Sequence, residues 1–505
     1  MSTRGPAASA ASAAPGAGDG AGVPGSAPRP RQPAILYAVA GLSALGGLLF
    51  GYDTGIISSA LLDLGRDLRL GPGEQEIVVS AILVGAMAGA PASGTLIARL
   101  GRRPVIMAVA VVFAVGALGA AVAPDTAALI AARLVLGLAV GAASNTVPVY
   151  IAETAPSAVR GRLMVLFQLM VAVGQLISYL VGYALAGPGG WRWMFALAAV
   201  PAAVLFLGML PMPESPRWLT GRDRTHEAAA VLRRLRAPGS DIDGELAEIA
   251  AVRSREHGAG WRALRARWVR PALLVAVGIA AFSQLTGINA MVYYAPTLLS
   301  DAGFGDSAAL LTGVGVGVML VLAGVVGTLT VDRAGRRRLL LVLLPGSGLA
   351  MAVLGLAFLG SGGSAAQHWT VVLALFGYIF LNGAGMQTAV WLIGPEVLPL
   401  AVRGPATSLA TTAVWGFDLL IAMTALSAVH TFGRTATFLG YAVMNAACWF
   451  FVLRRVPETR GRSLEEIEQA MRRTRRGGSG SGSGSDSGSG SGSGDTADRA
   501  AARAR

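Results

Sequence analysis

The sequence predicts an all-α membrane protein with twelve transmembrane helices, arranged as two six-helix bundles that repeat one another in parallel. The first observation is composition. Of the 505 residues 53% are hydrophobic and 14% are charged, whereas soluble domains average about 25% charged residues. The second observation is a set of long apolar runs, and the third is an ordered set of motifs that occurs once in each half. Together they predict an integral membrane protein with an internal duplication.

The twelve apolar runs are each about 20 residues long, which is the length an α-helix needs to cross roughly 30 Å of hydrocarbon. A polar stretch after the sixth run divides them into two groups of six. The predicted spans are 35–58, 77–98, 104–123, 127–149, 163–186, 192–211, 271–299, 308–331, 339–360, 369–394, 405–428 and 434–454.

Three short motifs appear in the same order in both halves: a GRR turn, a glutamate followed seven residues later by an arginine, and a Pro-Glu pair. The offsets between equivalents are nearly constant: 234 residues from Gly101 to Gly335, 243 from Glu153 to Glu396, and 244 from Glu214 to Glu458. This spacing predicts two homologous halves related in parallel, an arrangement typical of one transporter architecture.

The net charge of +13 is distributed over alternate loops rather than over one surface. One set of loops is rich in arginine and the other in acids such as Asp63, Asp125 and Asp301. By the positive-inside rule we expect a multi-pass protein of the cell membrane with both termini and the middle polar stretch in the cytoplasm. We expect the protein to contact the lipid bilayer, and we do not expect it to bind nucleic acid.

The predicted organisation has five parts. Residues 1–34 form a disordered cytoplasmic tail, 35–212 the N-terminal bundle, 213–269 a cytoplasmic helical linker, 270–456 the C-terminal bundle, and 457–505 a tail that ends in a Gly/Ser-rich tract. The linker contains two predicted amphipathic helices on either side of Pro238-Gly239. They lie on the inner surface of the bilayer, latch the two bundles, or act as a tether with some helix.

Charged residues at the arginine-rich loops predict a cytoplasmic gate. The spacing pairs Glu153 with Arg160 and Glu396 with Arg403 at the ends of neighbouring helices, where carboxylates and guanidiniums form networks. If these networks join helices that separate, they stabilise the state open to the outside. The alternative is static anchoring of the helix ends. The complete predicted set is Arg102, Glu153, Arg160, Asp332, Arg336, Glu396 and Arg403.

Several longer motifs, taken together, resemble the sugar porter family of the major facilitator superfamily over essentially all of 35–470. They are GGLLFGYDTGIIS, the two GRR turns, YIAE with VRG, PESPRWL, QLTGINAMVYYAP and PETRGRSLEE. The resemblance implies the major facilitator fold, a central substrate site and alternating access. It further implies transport of a monosaccharide or polyol by a chain that functions as a monomer.

Asp53 and Arg133 are the two charged residues placed deep within predicted spans that we expect to pair. Helix 1 runs outward and helix 4 inward, so both residues lie roughly 10 Å below the outer surface at 1.5 Å per residue. Loss of this pairing on protonation predicts a proton switch, and the alternative is a static pair between the two helices. In the family that the chain resembles, an acid at this position is associated with proton-coupled members.

A polar cavity is predicted from amides in apolar surroundings on helices 5 and 7: Gln168, Gln175, Gln284 and Asn289. Amides and aromatic faces suit the hydroxyls and C–H surfaces of sugars, although each amide alone is as well explained as a contact between helices. The resemblance implies that these four and Trp391 contact substrate, and that Phe50, Tyr293, Tyr294 and Trp415 line the cavity or its outer gate.

Asp418 departs from the family pattern, in which a neutral amide is more usual. It is a second titrating group, an acceptor for a substrate hydroxyl, or a residue near a water-filled cavity, and the sequence does not rank these. The leading hypothesis is a proton symporter, and the rivals are a uniporter and a non-transporting sugar sensor. An enzyme, a cofactor and a metal site are not expected, because no cluster of metal ligands, nucleophile with base or nucleotide loop is present.

Overall fold

The computed structural model describes residues 33–255, 264–359, 364–399 and 402–460, which are almost entirely helical. Within these ranges twelve helices are long and apolar enough to cross a membrane. They are α1 Ala34–Asp67, α2 Pro72–Leu100, α3 Arg102–Ala121, α4 Thr126–Thr154, α5 Val159–Ala184, α6 Gly190–Met209, α7 Arg270–Ser300, α8 Asp306–Ala334, α9 Arg336–Ala357, α10 Ala365–Val397, α11 Pro405–Phe432 and α12 Arg434–Arg455. The predicted fold class is confirmed. The predicted tails lie outside the described residues except for 33–34 and 457–460.

Helix α1 is longer than its predicted span, which ended at residue 58. The additional turns combine buried leucines with two acids, and tertiary contacts satisfy those acids. The backbone N–H of Gly187 donates to Asp63 over 2.9 Å, and the indole N–H of Trp191 donates to Asp67 over 2.8 Å. Hydropathy alone cannot detect helix that is stabilised in this way.

Close packing of small residues builds the N-terminal bundle, α1–α6. Helix α1 packs along α5, and α2 packs along α4. A Cβ placed on Gly51 would lie 1.9 Å from the carbonyl oxygen of Val171, and one on Gly137 would lie 2.1 Å from that of Ile82. Where lipid surrounds the helices, such close backbone approach is a main source of association.

Two helices of the C-terminal bundle, α7–α12, are interrupted. Helix α7 consists of Arg270–Leu285 and Ile288–Ser300, and Gly287 between them has a φ of 92°. Helix α10 contains a π-helical turn over Gly383–Gln387. Irregular backbone at membrane depth is tolerated where it is buried in protein or lines a cavity, so both interruptions mark the inner face of the bundle.

The ends of the molecule differ in charge and in how the bundles meet. The arginine-rich end carries the two GRR turns and the linker. At the opposite end the bundles are joined: Arg66 pairs with Asp306 at 2.6 Å, and the side chain of Glu76 accepts hydrogen bonds from the backbone N–H (2.8 Å) and hydroxyl (2.5 Å) of Ser427. Since Glu76 is 3% exposed, this second contact is shielded from solvent and closes the opposite end.

The linker packs against the N-terminal bundle. Between residues 213 and 255 the structure describes three linker helices, Pro216–Thr220, Thr225–Leu235 and Ile242–Arg255, where two were predicted. Arg236 pairs with Glu245 at 2.6 Å and donates to the carbonyl of Thr154 at the end of α4, over 2.7 Å. The additional helix has five residues, too short for a periodic pattern to reveal.

Candidate functional site

Asp53 on α1 and Arg133 on α4 lie side by side in the N-terminal bundle. Their closest charged atoms are 3.7 Å apart, and the two side chains are 2% and 0% exposed. The carboxylate oxygen Oδ2 of Asp53 has no hydrogen-bond partner among the described residues. The ion pair is therefore long for a buried pair, and its carboxylate is incompletely satisfied.

Arg133 also ties α4 to α2. Its guanidinium donates to the carbonyl oxygens of Val78, over 2.7 Å, and Val79, over 3.4 Å. These carbonyls lie two and three residues beyond Glu76, which holds Ser427 of the other bundle. Asp53 is therefore connected, through Arg133 and neighbouring residues of α2, to the contact that closes the opposite end.

A chain of amides surrounds the interruption in α7. Asn289 donates to the Gln284 oxygen over 2.7 Å, and Gln284 in turn donates to the Ser283 hydroxyl over 3.1 Å. Gln387, from the π-helical turn of α10, donates to the backbone oxygen of Ser283 over 3.0 Å. Two interrupted helices thus bring polar side chains together inside an apolar bundle.

The predicted aromatic residues meet this amide chain at the interface between the bundles. The ring of Phe50 on α1 lies 5.6 Å from that of Trp415 on α11, measured between centroids. The hydroxyl of Tyr293 donates to Asp418 over 3.1 Å, and that of Tyr294 donates to the carbonyl oxygen of Ala422 over 2.6 Å. Asp418 therefore lies beside these aromatic residues, a position that the sequence left open.

Three other predicted substrate residues differ in exposure. Gln175 on α5 is 8% exposed, whereas Gln168, two turns earlier, is exposed. Trp391 on α10 is 44% exposed. A large exposed indole and an exposed amide on helices of opposite bundles are compatible with an open cleft between them.

A buried polar network that was not predicted from the sequence lies behind the amide chain. The amide of Asn382 donates to the Thr286 and Ser347 hydroxyls over 3.2 and 3.4 Å, and Asn445 accepts from Ser347 over 2.9 Å. All four side chains are fully buried. The available signal was weak: only Ser347 and Asn445 stand as single polar residues among apolar neighbours. This network fixes the interrupted part of α7.

In the described part of the arginine-rich end, the ion pairs of the predicted gate residues lie within one bundle each. Arg102 binds Glu153 through two contacts of 2.8 Å, and its counterpart Arg336 contacts Glu396 at 3.1 Å and Asp332 at 3.0 Å. The predicted pair of Glu153 with Arg160 is not observed: Glu153 binds Arg102, and Arg160 donates to the carbonyl of Ala155. The Arg403 side chain lies outside the described residues.

Two glutamates cap the helices that follow the GRR turns. Glu214 accepts from the backbone N–H groups of Arg102 and Arg103, over 2.9 and 3.2 Å, at the start of α3. Glu458 accepts from those of Arg336 and Arg338, over 3.1 and 3.3 Å, at the start of α9. Unpaired N–H groups and the helix dipole favour a carboxylate there, which explains why the Pro-Glu motif recurs.

Truncation of this cap is expected to lower stability. Burial raises the pKa of the Glu214 carboxyl, and its N–H donors counter this only in part. A neutral amide therefore replaces it at modest cost: we expect Glu214→Gln to lose about 1 kcal/mol and Glu214→Ala up to about 2 kcal/mol. The measurement is thermal unfolding in detergent. Glu227→Ala, which removes an exposed pair with Arg224, is the control and should unfold at nearly the same temperature as wild type, because exposed ion pairs contribute little to stability.

A cavity of about 780 Å³ lies between the N-terminal bundle and the linker. Its lining includes the gate residues Arg102, Glu153 and Arg160, together with Arg236 and Glu245 of the linker. It is thus a feature of the arginine-rich end and separate from the amide chain.

Comparison with known proteins places this geometry in a family. The family model described as sugar (and other) transporter matches residues 39–471. The D-xylose transporter of Levilactobacillus brevis is 41% identical over 431 residues, which is 85% of this chain and 94% of the relative.

Among solved structures, the inward-open conformation of the xylose transporter XylE from E. coli matches with a TM-score of 0.75 and 27% identity, over 86% of this chain and 99% of that one. The major facilitator proton:xylose symporter XylE bound to 6-bromo-6-deoxy-D-glucose matches with a TM-score of 0.72 and 28% identity over the same shares. The protein is therefore a multi-pass membrane transporter, not an enzyme, and it belongs to the sugar porter family of the major facilitator superfamily.

Proposed function

We propose that this protein imports a monosaccharide or polyol together with a proton by alternating access. The observation that carries the proposal is the buried, incompletely satisfied pair of Asp53 and Arg133. Charged groups shielded from water in a membrane protein are costly and commonly mark ion or proton pathways. Similarity to a proton:xylose symporter and a D-xylose transporter supports both parts of the proposal.

Coupling follows from the contacts of Arg133. When the opposite end is open, a proton from outside neutralises Asp53 and releases Arg133, whose hydrogen bonds to α2 then adjust. Because α2 carries Glu76, the contact with Ser427 forms and closes that end. After the proton leaves on the other side, Asp53 recovers its charge and its partner. The joined opposite end corresponds to the state open at the arginine-rich end.

Substrate binds in the cleft between the bundles. Amides supply paired donors and acceptors for vicinal hydroxyls, and the proposed contacts are Gln168, Gln175, Gln284, Asn289 and Trp391. Phe50 and Trp415 cover one side of the cleft, and Tyr293 and Tyr294 close it towards the opposite end.

The arginine-rich end is the cytoplasmic side of the cell membrane, and both termini and the linker lie there. Positive-inside placement of arginine supports this orientation. The gate residues at this end hold the helices of one bundle together while the cleft is open. In the state open to the outside the same side chains come together across the bundles. The protein works as a monomer, since one chain contains both bundles and the cleft.

The test is counterflow in proteoliposomes with labelled hexoses, pentoses and inositol at two pH values, followed by uptake against a gradient. We expect counterflow of at least one compound, and accumulation that a protonophore abolishes. Counterflow with protonophore-insensitive uptake would identify a uniporter. Absence of counterflow for every compound would reject transport of this substrate class.

A further inference from the structure

Helix α11 contains a turn near the opposite end that its own sequence does not require. Its helical parts are Arg403–Ala422 and Ala425–Phe432, and the turn lies at Met423 and Thr424. The segment 422–427 reads AMTALS, with neither glycine nor proline, and alanine, methionine and leucine are among the best helix formers. Because local propensity favours a continuous helix, tertiary contacts must impose the turn.

Side chains from two other helices replace the backbone hydrogen bonds that the turn removes. In a continuous α-helix each N–H donates to the carbonyl four residues earlier. At the turn, the carbonyl of Ala422 accepts from the hydroxyl of Tyr294 over 2.6 Å, and the N–H of Ser427 donates to the carboxylate of Glu76 over 2.8 Å. Ser427 lies in the first turn of Ala425–Phe432, where N–H groups lack backbone partners and the helix dipole favours a carboxylate. Glu76 is thus a helix cap.

This cap can exist only while the bundles are joined. Glu76 lies on α2 of the N-terminal bundle, so separation of the bundles takes its carboxylate away from the N–H of Ser427. The adjoining residues Ala425 and Leu426 are 2% and 1% exposed, and a buried N–H without a partner is costly. The carbonyl of Met423 is the acceptor that a continuous helix would provide for this N–H.

We propose that α11 alternates between two arrangements: it is broken at its turn while the bundles are joined, and it is continuous when the opposite end is open. Glu76 is a positioning residue that selects the broken arrangement through the N–H of Ser427. The continuous arrangement also returns the carbonyl of Ala422 to the backbone, and this releases Tyr294. The inference rests on the proposed function and specifies how one helix responds when the bundles separate.

Two variants distinguish this switch from a static bend, because they remove the same hydrogen bond with opposite expected results. Glu76→Met keeps an unbranched side chain that cannot accept from the N–H of Ser427. Ser427→Pro also removes that bond, and its ring would collide with the carbonyl of Met423 in a continuous helix, whereas the first turn of a helix tolerates proline. The matched controls are Glu74→Gln, at an exposed position on α2, and Ser427→Ala, which keeps the N–H.

Opening is measured by double electron–electron resonance between spin labels on the full chain in nanodiscs. The labels are attached through Ala127→Cys on α4 and Ser307→Cys on α8, which are exposed positions at the opposite end of different bundles, and Cys448→Ala removes the single native cysteine. We expect Glu76→Met to raise the ratio of open to joined molecules about 10-fold or more. Ser427→Pro should show the joined distance alone and no counterflow. The controls should stay within about 3-fold of wild type.

Hydrogen exchange at single amides decides the question independently if Ser427→Pro does not fold. A continuous helix in Glu76→Met protects the N–H of Ser427, so its exchange should be no faster than in wild type. The N–H of Leu426 gains the carbonyl of Ala422, so its exchange should become roughly 10-fold slower or more. A helix that stays broken would instead leave Ser427 unprotected, and its exchange would become faster.

The proposal is overturned by faster exchange at Ser427 in Glu76→Met, by unchanged label distances in that variant, or by a Ser427→Pro protein that opens to the same extent. Failure of the proposed function is a different result. In that case wild type shows no counterflow of any sugar or polyol, whereas the label distances and exchange rates do not depend on a transported substrate.

Discussion

Asp53→Asn is expected to abolish accumulation driven by a proton gradient while leaving counterflow intact. An amide of the same shape preserves packing near Arg133 but cannot bind and release a proton at neutral pH. For one proton per neutral substrate and a membrane potential held at zero, a gradient of one pH unit supports at most about 10-fold accumulation. Wild type should approach this ratio in proteoliposomes, and the variant should remain near one.

The control is Asp63→Asn on the same helix, because Asp63 binds the backbone of Gly187 and has no place in the proposed coupling. It should accumulate substrate like wild type. If Asp53 and Arg133 form only a static pair, Asp53→Asn would instead lower thermal stability and reduce every mode of transport alike. Continued accumulation by Asp53→Asn would reject the coupling mechanism.

Gly51→Ala is expected to prevent stable assembly of the N-terminal bundle. The added methyl would lie 1.9 Å from the carbonyl oxygen of Val171 and 2.9 Å from its Cα, so backbone rather than a flexible side chain would have to move. Overpacking of this kind costs about 1–3 kcal/mol in ordinary cores. Because the methyl would collide with backbone, we expect the loss of stability here to be about 3 kcal/mol or more. The measurement is the melting temperature of the purified protein.

Gly41→Ala provides the matched comparison within the same helix. No atom outside the helix lies within 4 Å of the position that its methyl would occupy, so the change should be neutral or stabilise by up to about 1 kcal/mol through helix propensity. Equal melting temperatures for the two variants would contradict the inferred packing of α1 on α5.

Hydropathy predicted all twelve helices because a helix that crosses lipid must satisfy its own backbone and present apolar side chains. It failed where tertiary contacts override local composition. At the end of α1, beyond the predicted span, Gly187 and Trp191 donate hydrogen bonds to the carboxylates of Asp63 and Asp67. The five-residue linker helix at Pro216–Thr220 and the π-helical turn of α10 also have no periodic signal.

Partner choice was harder to predict than residue importance. The similar depths of Asp53 and Arg133 along two antiparallel helices correctly predicted that the two residues lie side by side. The seven-residue spacing wrongly joined Glu153 to Arg160, whereas the partner of Glu153 is Arg102 at the start of α3. Ion pairs at helix ends depend on how separate helices meet, and spacing along one segment contains no such information.

By itself the sequence determined the class, the twelve spans, the duplication and the family, because each depends on composition and order along the chain. Only the tertiary structure decided which carboxylate meets which guanidinium, that the bundles join through Glu76 and Ser427, and that Asp418 stands with Trp415 at the cleft. The physical reason is range. Hydrophobicity acts on each segment separately, whereas hydrogen bonds and ion pairs require atoms within about 4 Å, and packing alone brings distant segments that close.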